Sequence, residues 1–164
     1  LFTPLDRRLH RVKVEISGND INKFVQDLFS ERILKDGIKI EPSKAFLRMV
    51  IIEYPSSIYP VFINLIDNSL FWLKDRPEPR LVNLDVDGKV LIVSDNGPGI
   101  PERDRDSIFE MGFTRKPGGR GMGLYISRAV LKKIGYKLTL DTSGSQPGTT
   151  FRIEPDVGEE NGHG

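Results

Sequence analysis

Two amides, one carboxylate and two glycine clusters carry the chemistry open to this sequence. Asn64 and Asn68 stand four apart in Val61-Phe62-Ile63-Asn64-Leu65-Ile66-Asp67-Asn68-Ser69. On a helix that spacing puts them on one face. Their neighbours are apolar, and a buried amide left without a partner costs about 1–3 kcal/mol. They are either core amides bonded to backbone or ligands. An amide oxygen is a neutral, hard donor suited to Mg²⁺, which keeps waters and phosphate oxygens and needs only one or two protein ligands. On the ligand reading, Asn68 holds the metal and Asn64 supports it or reaches it through water.

Asp95 opens Asp95-Asn96-Gly97-Pro98-Gly99 at the end of an apolar run. An ionised carboxylate only accepts hydrogen bonds. It can take the exocyclic amino group of adenine, whereas guanine presents a carbonyl oxygen there. Such a charged bond is worth about 1.5–3 kcal/mol. Gly97 and Gly99 let backbone approach a base closely. The bland alternative is an ordinary Asp-Asn-Gly turn. The second cluster, Gly119-Arg120-Gly121-Met122-Gly123-Leu124, precedes a helical pattern. Amides at a helix start, reinforced by its dipole, favour phosphate oxygens. The cluster does not follow a strand, so a dinucleotide fold is a poor match, and no GxxxxGK[ST] loop is present. Between the clusters, Phe109 and Phe113 are spaced to anchor a lid on the core. Lys116 and Arg120 would bring charge to terminal phosphates. The alternative there is a solvated basic loop.

The elements that must position these groups follow from periodicity. Val12, Val14 and Ile16 alternate as a strand, and Ser17-Gly18-Asn19-Asp20 offers a helix cap. Ile21, Phe24, Val25, Leu28 and Phe29 recur at helical spacing up to Gly37. Residues 38–41 and 46–52 read as strands, and 58–74 as the helix that carries both asparagines. Residues 81–86 and 90–93 form a hairpin about Asp87-Gly88. Residues 95–122 form a long loop with a short helix near 104–110, and such loops in compact domains are usually functional or disordered. A helix over 123–134 and strands over 137–140 and 149–153 close the chain. Strands and helices mix without regular alternation, which points to an α+β sandwich with helices on one face of a mixed sheet. One domain over residues 1–154 and a disordered tail over 155–164 are expected, with residues 1–45 the least legible part.

Composition narrows the partners. The 164 residues carry 24 basic and 23 acidic side chains, a net charge of +1, so no overall field argues for nucleic acid or a membrane surface. Without cysteine there is no disulfide framework and no Cys zinc site. No apolar run reaches the roughly 20 residues of a membrane span. The chain opens on Leu1 without a secretory signal. A piece of a longer protein is expected, cytoplasmic, whose parent is anchored to a membrane or not.

With these motifs in this order, the chain resembles the ATP-binding catalytic domain of sensor histidine kinases, in the superfamily shared with gyrase, Hsp90 and MutL. Asn64 to Ser69 matches the N box, Asp95 to Gly99 the first glycine box, and Phe109 to Lys116 the F box. Gly119 to Leu124 matches the second glycine box, and Gly148-Thr149-Thr150-Phe151 the last family strand. The resemblance covers about Phe46 to Ile153. It implies the Bergerat fold, a two-layer sandwich with an ATP lid between Gly99 and Gly121. It also implies ATP and Mg²⁺ as ligands, Asp95 reading adenine and Asn68 holding the metal. Ile100, Thr114 and Thr149 join the nucleotide contacts, and Asn64, Lys116 and Arg120 are the groups acting in catalysis.

Hydrolases of the superfamily place a glutamate base where this chain has Asn64. The resemblance therefore implies phosphoryl transfer to a protein histidine, with a response regulator downstream. A non-transferring nucleotide module and an ATPase with a base from elsewhere are the alternatives. Two departures stand out. The family often has Lys-Tyr after the N box, and here Phe71-Trp72 stand there. Trp72 can stack on adenine, Phe71 cannot pair with phosphate, and Lys116 and Arg120 are expected to compensate. The only histidines, His10 and His163, suit no phosphoacceptor helix, so the acceptor is expected upstream of Leu1 on a dimerisation helix of the same parent.

Overall fold

A computed structural model describes residues 12–144 and 147–157. Both histidines and most of the expected tail lie outside the described residues.

The chain runs β1 (Val14–Ser17), α1 (Gly18–Leu28), α2 (Ser30–Lys35), β2 (Ile38–Pro42), α3 (Lys44–Arg48), β3 (Val50–Glu53) and α4 (Pro55–Leu73). It continues with β4 (Arg80–Asp87), β5 (Val90–Asp95), a 3₁₀ turn (Glu102–Asp104), α5 (Gly123–Lys133), β6 (Tyr136–Leu140) and β7 (Thr149–Pro155). Five strands form one sheet in the order β2-β4-β5-β7-β6, and β1 pairs separately with β3. The β2–β4 pair is parallel; the others in the large sheet are antiparallel.

Period-2 alternation decides which sheet face is covered. Val82, Leu84, Leu91, Val93, Phe151, Ile153 and Leu138 are buried, while Asp85, Ile92 and Arg152 between them face outward. Register puts Leu84 beside Val93 and Val93 beside Phe151, so the apolar face is continuous. α4 covers it with Ile58, Val61, Phe62, Leu65, Ile66, Leu70 and Leu73, spaced three and four apart. α5 packs beside α4 and adds Leu131. The result is the expected two-layer α+β sandwich.

Caps decide the element starts. Ser17 and Asp20 exchange bonds of 3.0 Å each way, a complete capping box at the head of α1. In the hairpin, Gly88 has φ 60° at the first of two central positions, where a type II′ turn needs glycine.

Three expectations are corrected. Residues 46–52 do not form one strand: Lys44–Arg48 is helical, and only Val50–Glu53 is extended. Ser43 caps that short helix by accepting from the Phe46 amide at 3.0 Å, which turns Phe46 into the core. The short helix near 104–110 is instead a 3₁₀ turn at Glu102–Asp104 followed by irregular turns. Pro155 belongs to β7, opposite Tyr136, and not to a tail. Within the N-terminal portion, residues 12–45 acquire a definite place: β2 completes one edge of the large sheet, and β1 braces β3 just before α4.

Candidate functional site

Between α4, the end of β5, the 95–122 loop and the start of α5 lies a cleft of about 680 Å³. It is lined from α4 by Asn64, Asp67, Asn68 and Trp72. Gly99, Ile100, Phe113, Thr114, Lys116, Gly119, Arg120 and Gly121 come from the loop, Met122, Gly123 and Leu124 from the head of α5, and Thr149 from β7. Of the expected nucleotide contacts, Asp95, Gly97 and Phe109 do not line it.

Asp95 lies just beneath, 9% exposed, in register with Thr149. Ser69 Oγ donates to its Oδ2 at 2.7 Å and the Gly97 amide to its Oδ1 at 2.9 Å. Burial pushes its carboxyl above the ordinary value, and the bonds from Ser69, Gly97 and Thr149 pull against that. Glycine backbone is packed closely around it: a Cβ on Gly148, whose φ is 118°, would sit 1.9 Å from the Asp95 carbonyl oxygen. Phe109 faces the core, its ring edge-on to Phe151 at 6.2 Å with the Arg128 guanidinium 4.9 Å above it. That is the anchoring expected of it, while Phe113 both packs on the core and lines the cleft.

The two asparagines divide. Asn64 Nδ2 donates to Ser127 Oγ at 3.0 Å and to the Gly123 carbonyl at 3.4 Å, tying α4 to α5. Asn68 lines the cleft and makes no side-chain hydrogen bond to another described residue. Trp72 meets Phe71 edge-on at 4.9 Å. At the opposite wall, α5 begins without a side-chain cap and without an acidic residue in its first turn. Met122, Gly123 and Leu124 line the cleft, so the positive dipole end of α5 lies on that side.

The loop is fastened at several points. The Gly112 amide donates to the Gly121 carbonyl at 3.0 Å. Asp104, 4% exposed, receives Arg115 Nη2 at 2.7 Å and Nε at 3.1 Å, a two-pronged clasp. Lys116 Nζ lies 3.6 Å from Asp67 Oδ2. Among lining residues the cations Arg103, Arg115, Lys116 and Arg120 outnumber the carboxylates Asp67 and Asp104, which suits an anion. Sequence reading missed Ser69, Ser127, Asp67, Asp104 and Arg115. Ser69 follows Asn68 directly and could have been noticed; the other pairings join segments far apart in the chain.

The sequence profile of the family described as "Histidine kinase-, DNA gyrase B-, and HSP90-like ATPase" matches residues 53–159. The chain belongs to that family. Within the family it is similar to the sensor histidine kinases. It is 37% identical over 100 residues to the signal transduction histidine-protein kinase/phosphatase MprB of Mycobacterium sp. (strain KMS), covering 56% of this chain and 19% of that protein. A solved mycobacterial sensor histidine kinase MprB superposes with a TM-score of 0.68 at 27% identity, covering 87% of this chain and 95% of that one. The solved catalytic domain of histidine kinase ThkA does so with a TM-score of 0.67 at 26% identity, with the same coverage of 87% and 95%. The chain spans about a fifth of the length of the curated relative and nearly all of these two solved chains. It is an ATP-binding domain of the histidine kinase type, with the expected sandwich fold. No helix among the described residues is long and apolar enough to cross a membrane.

Proposed function

We propose that this domain binds Mg-ATP and passes the γ-phosphoryl group to a histidine on a dimerisation helix of the same parent protein, on the cytoplasmic side, for onward transfer to a response regulator. In the first step the bond from the γ-phosphorus to the β,γ-bridging oxygen breaks, a phosphorus–nitrogen bond to the imidazole forms, and ADP leaves.

The amide at position 64 carries this reading. Hydrolases of the superfamily have a glutamate there to activate water, and Asn64 offers an amide engaged with Ser127 and Gly123. Both carboxylates lining the cleft are ion-paired, Asp67 with Arg32 and Lys116, and Asp104 with Arg115. The Arg115 bond also holds the Asp104 carboxyl below its ordinary range, the opposite of a poised base.

Magnesium fits the donor set. Asn68 supplies one hard oxygen without a partner among the described residues, which also contain no cluster of three or more His, Cys, Asp or Glu that would cage an ion by itself. When bound, the metal neutralises charge on the phosphate oxygens. Asp95, its oxygens already receiving Ser69 and Gly97, keeps lone pairs for the adenine amino group. Trp72 supplies a stacking surface, the head of α5 cradles phosphate, and Lys116 and Arg120 balance the terminal charge.

The test mixes the domain with the dimerisation helix of its parent and γ-labelled ATP. Acid-labile label on the helix is the expected result. Nucleotide binding without label would favour a regulatory module, and sustained phosphate release by the domain alone would favour an ATPase. Either would overturn the transfer reading.

A further inference from the structure

We infer that Asp67 is a positioning residue for the polyphosphate tail: it sets Lys116 over the Phe71 ring, as the cation that α4 itself does not carry. The inference rests on the Mg-ATP reading above.

α4 contains no lysine, arginine or histidine anywhere from Pro55 to Leu73. Its cleft-facing side chains bring amides and an aromatic ring but no positive charge. The loop supplies it. Lys116 Nζ sits 5.2 Å from the centroid of the Phe71 ring and 3.6 Å from Asp67 Oδ2. Asp67 and Phe71 are one helical turn apart, so carboxylate and ring form adjoining walls for one ammonium group. The lysine side chain is 24% exposed, against 48% for Lys13 and 53% for Lys137, which lie on the surface. Its backbone is fixed as well. The Lys116 amide donates to Thr114 Oγ1 at 3.0 Å, and its carbonyl accepts from the Gly119 amide at 2.9 Å.

A carboxylate beside a phosphate site would ordinarily repel the ligand. Here Arg32 of α2 occupies the other oxygen of Asp67. Two cations then share one carboxylate, so the cluster carries net positive charge beside the cleft. A lysine held in place also loses less rotamer freedom when it meets phosphate. Asp67 touches no phosphate in this scheme; it acts through Lys116.

Calorimetry on the whole domain with Mg-ATP and with AMP separates the outcomes. Lys116→Met is expected to weaken ATP about tenfold, the scale of a lost charge-assisted bond, and to leave AMP unchanged. Asp67→Asn is expected to weaken ATP about threefold, as a partly exposed ion pair does, again without effect on AMP. Asp67→Glu is expected to restore ATP affinity. Adding Asp67→Asn to Lys116→Met is expected to cost nothing further, because the carboxylate works through the amine. Asp67→Asn binding ATP as tightly as the parent or tighter would mean that the carboxylate only repels phosphate, and would overturn the inference. Losses that simply add in the double variant, or that fall equally on AMP, would overturn it too. If the unaltered domain bound neither ATP nor AMP, the ATP reading would fall with it; normal binding with an indifferent Asp67→Asn would sink this inference alone.

Discussion

At Asp95, stability and the proposed adenine recognition pull in opposite directions. Burial raises its pKa, and the folded protein therefore holds its proton more tightly than the unfolded chain. By linkage its contribution to stability falls as pH rises from the unfolded pKa through the folded one. On the proposed reading, in which Asp95 accepts the adenine amino group, recognition needs the ionised form, and affinity is expected to fade as pH falls through that raised value. Asp95→Asn should therefore weaken ATP tenfold or more, in about the range of a lost charged hydrogen bond, and remove the preference for ATP over GTP. The same variant should melt at an equal or higher temperature at neutral pH. Parallel calorimetry and thermal melts check both halves, and retained adenine selectivity would show that another group reads the base. Asn68 makes a different prediction, because no partner among the described residues is lost on truncation. Asn68→Ala should leave the melting temperature within a degree or two, since surface truncations away from a network cost about 0.5 kcal/mol or less. It should abolish most of the difference between ATP titrations with and without magnesium.

Among the elements, the 95–122 loop depends most on particular contacts. Its hold comes from the Asp104–Arg115 clasp, the Gly112–Gly121 backbone bond and the seating of Lys116. The Asp104 carboxyl is depressed by Arg115, so the clasp contributes above the unfolded carboxylate pKa and is lost as pH falls through the lower folded value. Asp104→Asn should speed proteolytic cutting within residues 101–121 at neutral pH while the global melt changes little. Gly121 has φ 66°, and a Cβ there would meet Gly112 and Phe113 backbone atoms at 2.4 Å. Gly121→Ala should therefore open the loop more severely, losing ATP affinity as well as protection from protease. Cutting rates equal to those of the unaltered domain in both variants would show that the loop is held by other contacts.

The molecule as a whole stands on one apolar layer between the sheet and α1, α4 and α5. Phe46 is fully buried in it and meets Phe62 at 6.0 Å. Phe46→Ala should cost about 3–5 kcal/mol, a large share of a typical net stability of about 5–15 kcal/mol. Urea unfolding would show it as a lower midpoint with an unchanged slope. That same residue marks where local reading stopped short. A run such as Phe46 to Ile52 fits a strand or a short helix equally well by pattern, and the Ser43 cap chose between them. Residue type and spacing by themselves determined the asparagine face of α4, the glycine turns around Asp95 and Gly121, and the two-layer class, because those follow from local periodicity and backbone freedom. Only the tertiary structure decided the partners: Asp67 with Arg32, 35 residues away, Asn64 with Ser127, 63 away, and Asp95 with Ser69, 26 away. Those pairings are set by how helices and loop lie across the sheet, and distance between packed layers is not written in spacing along the chain.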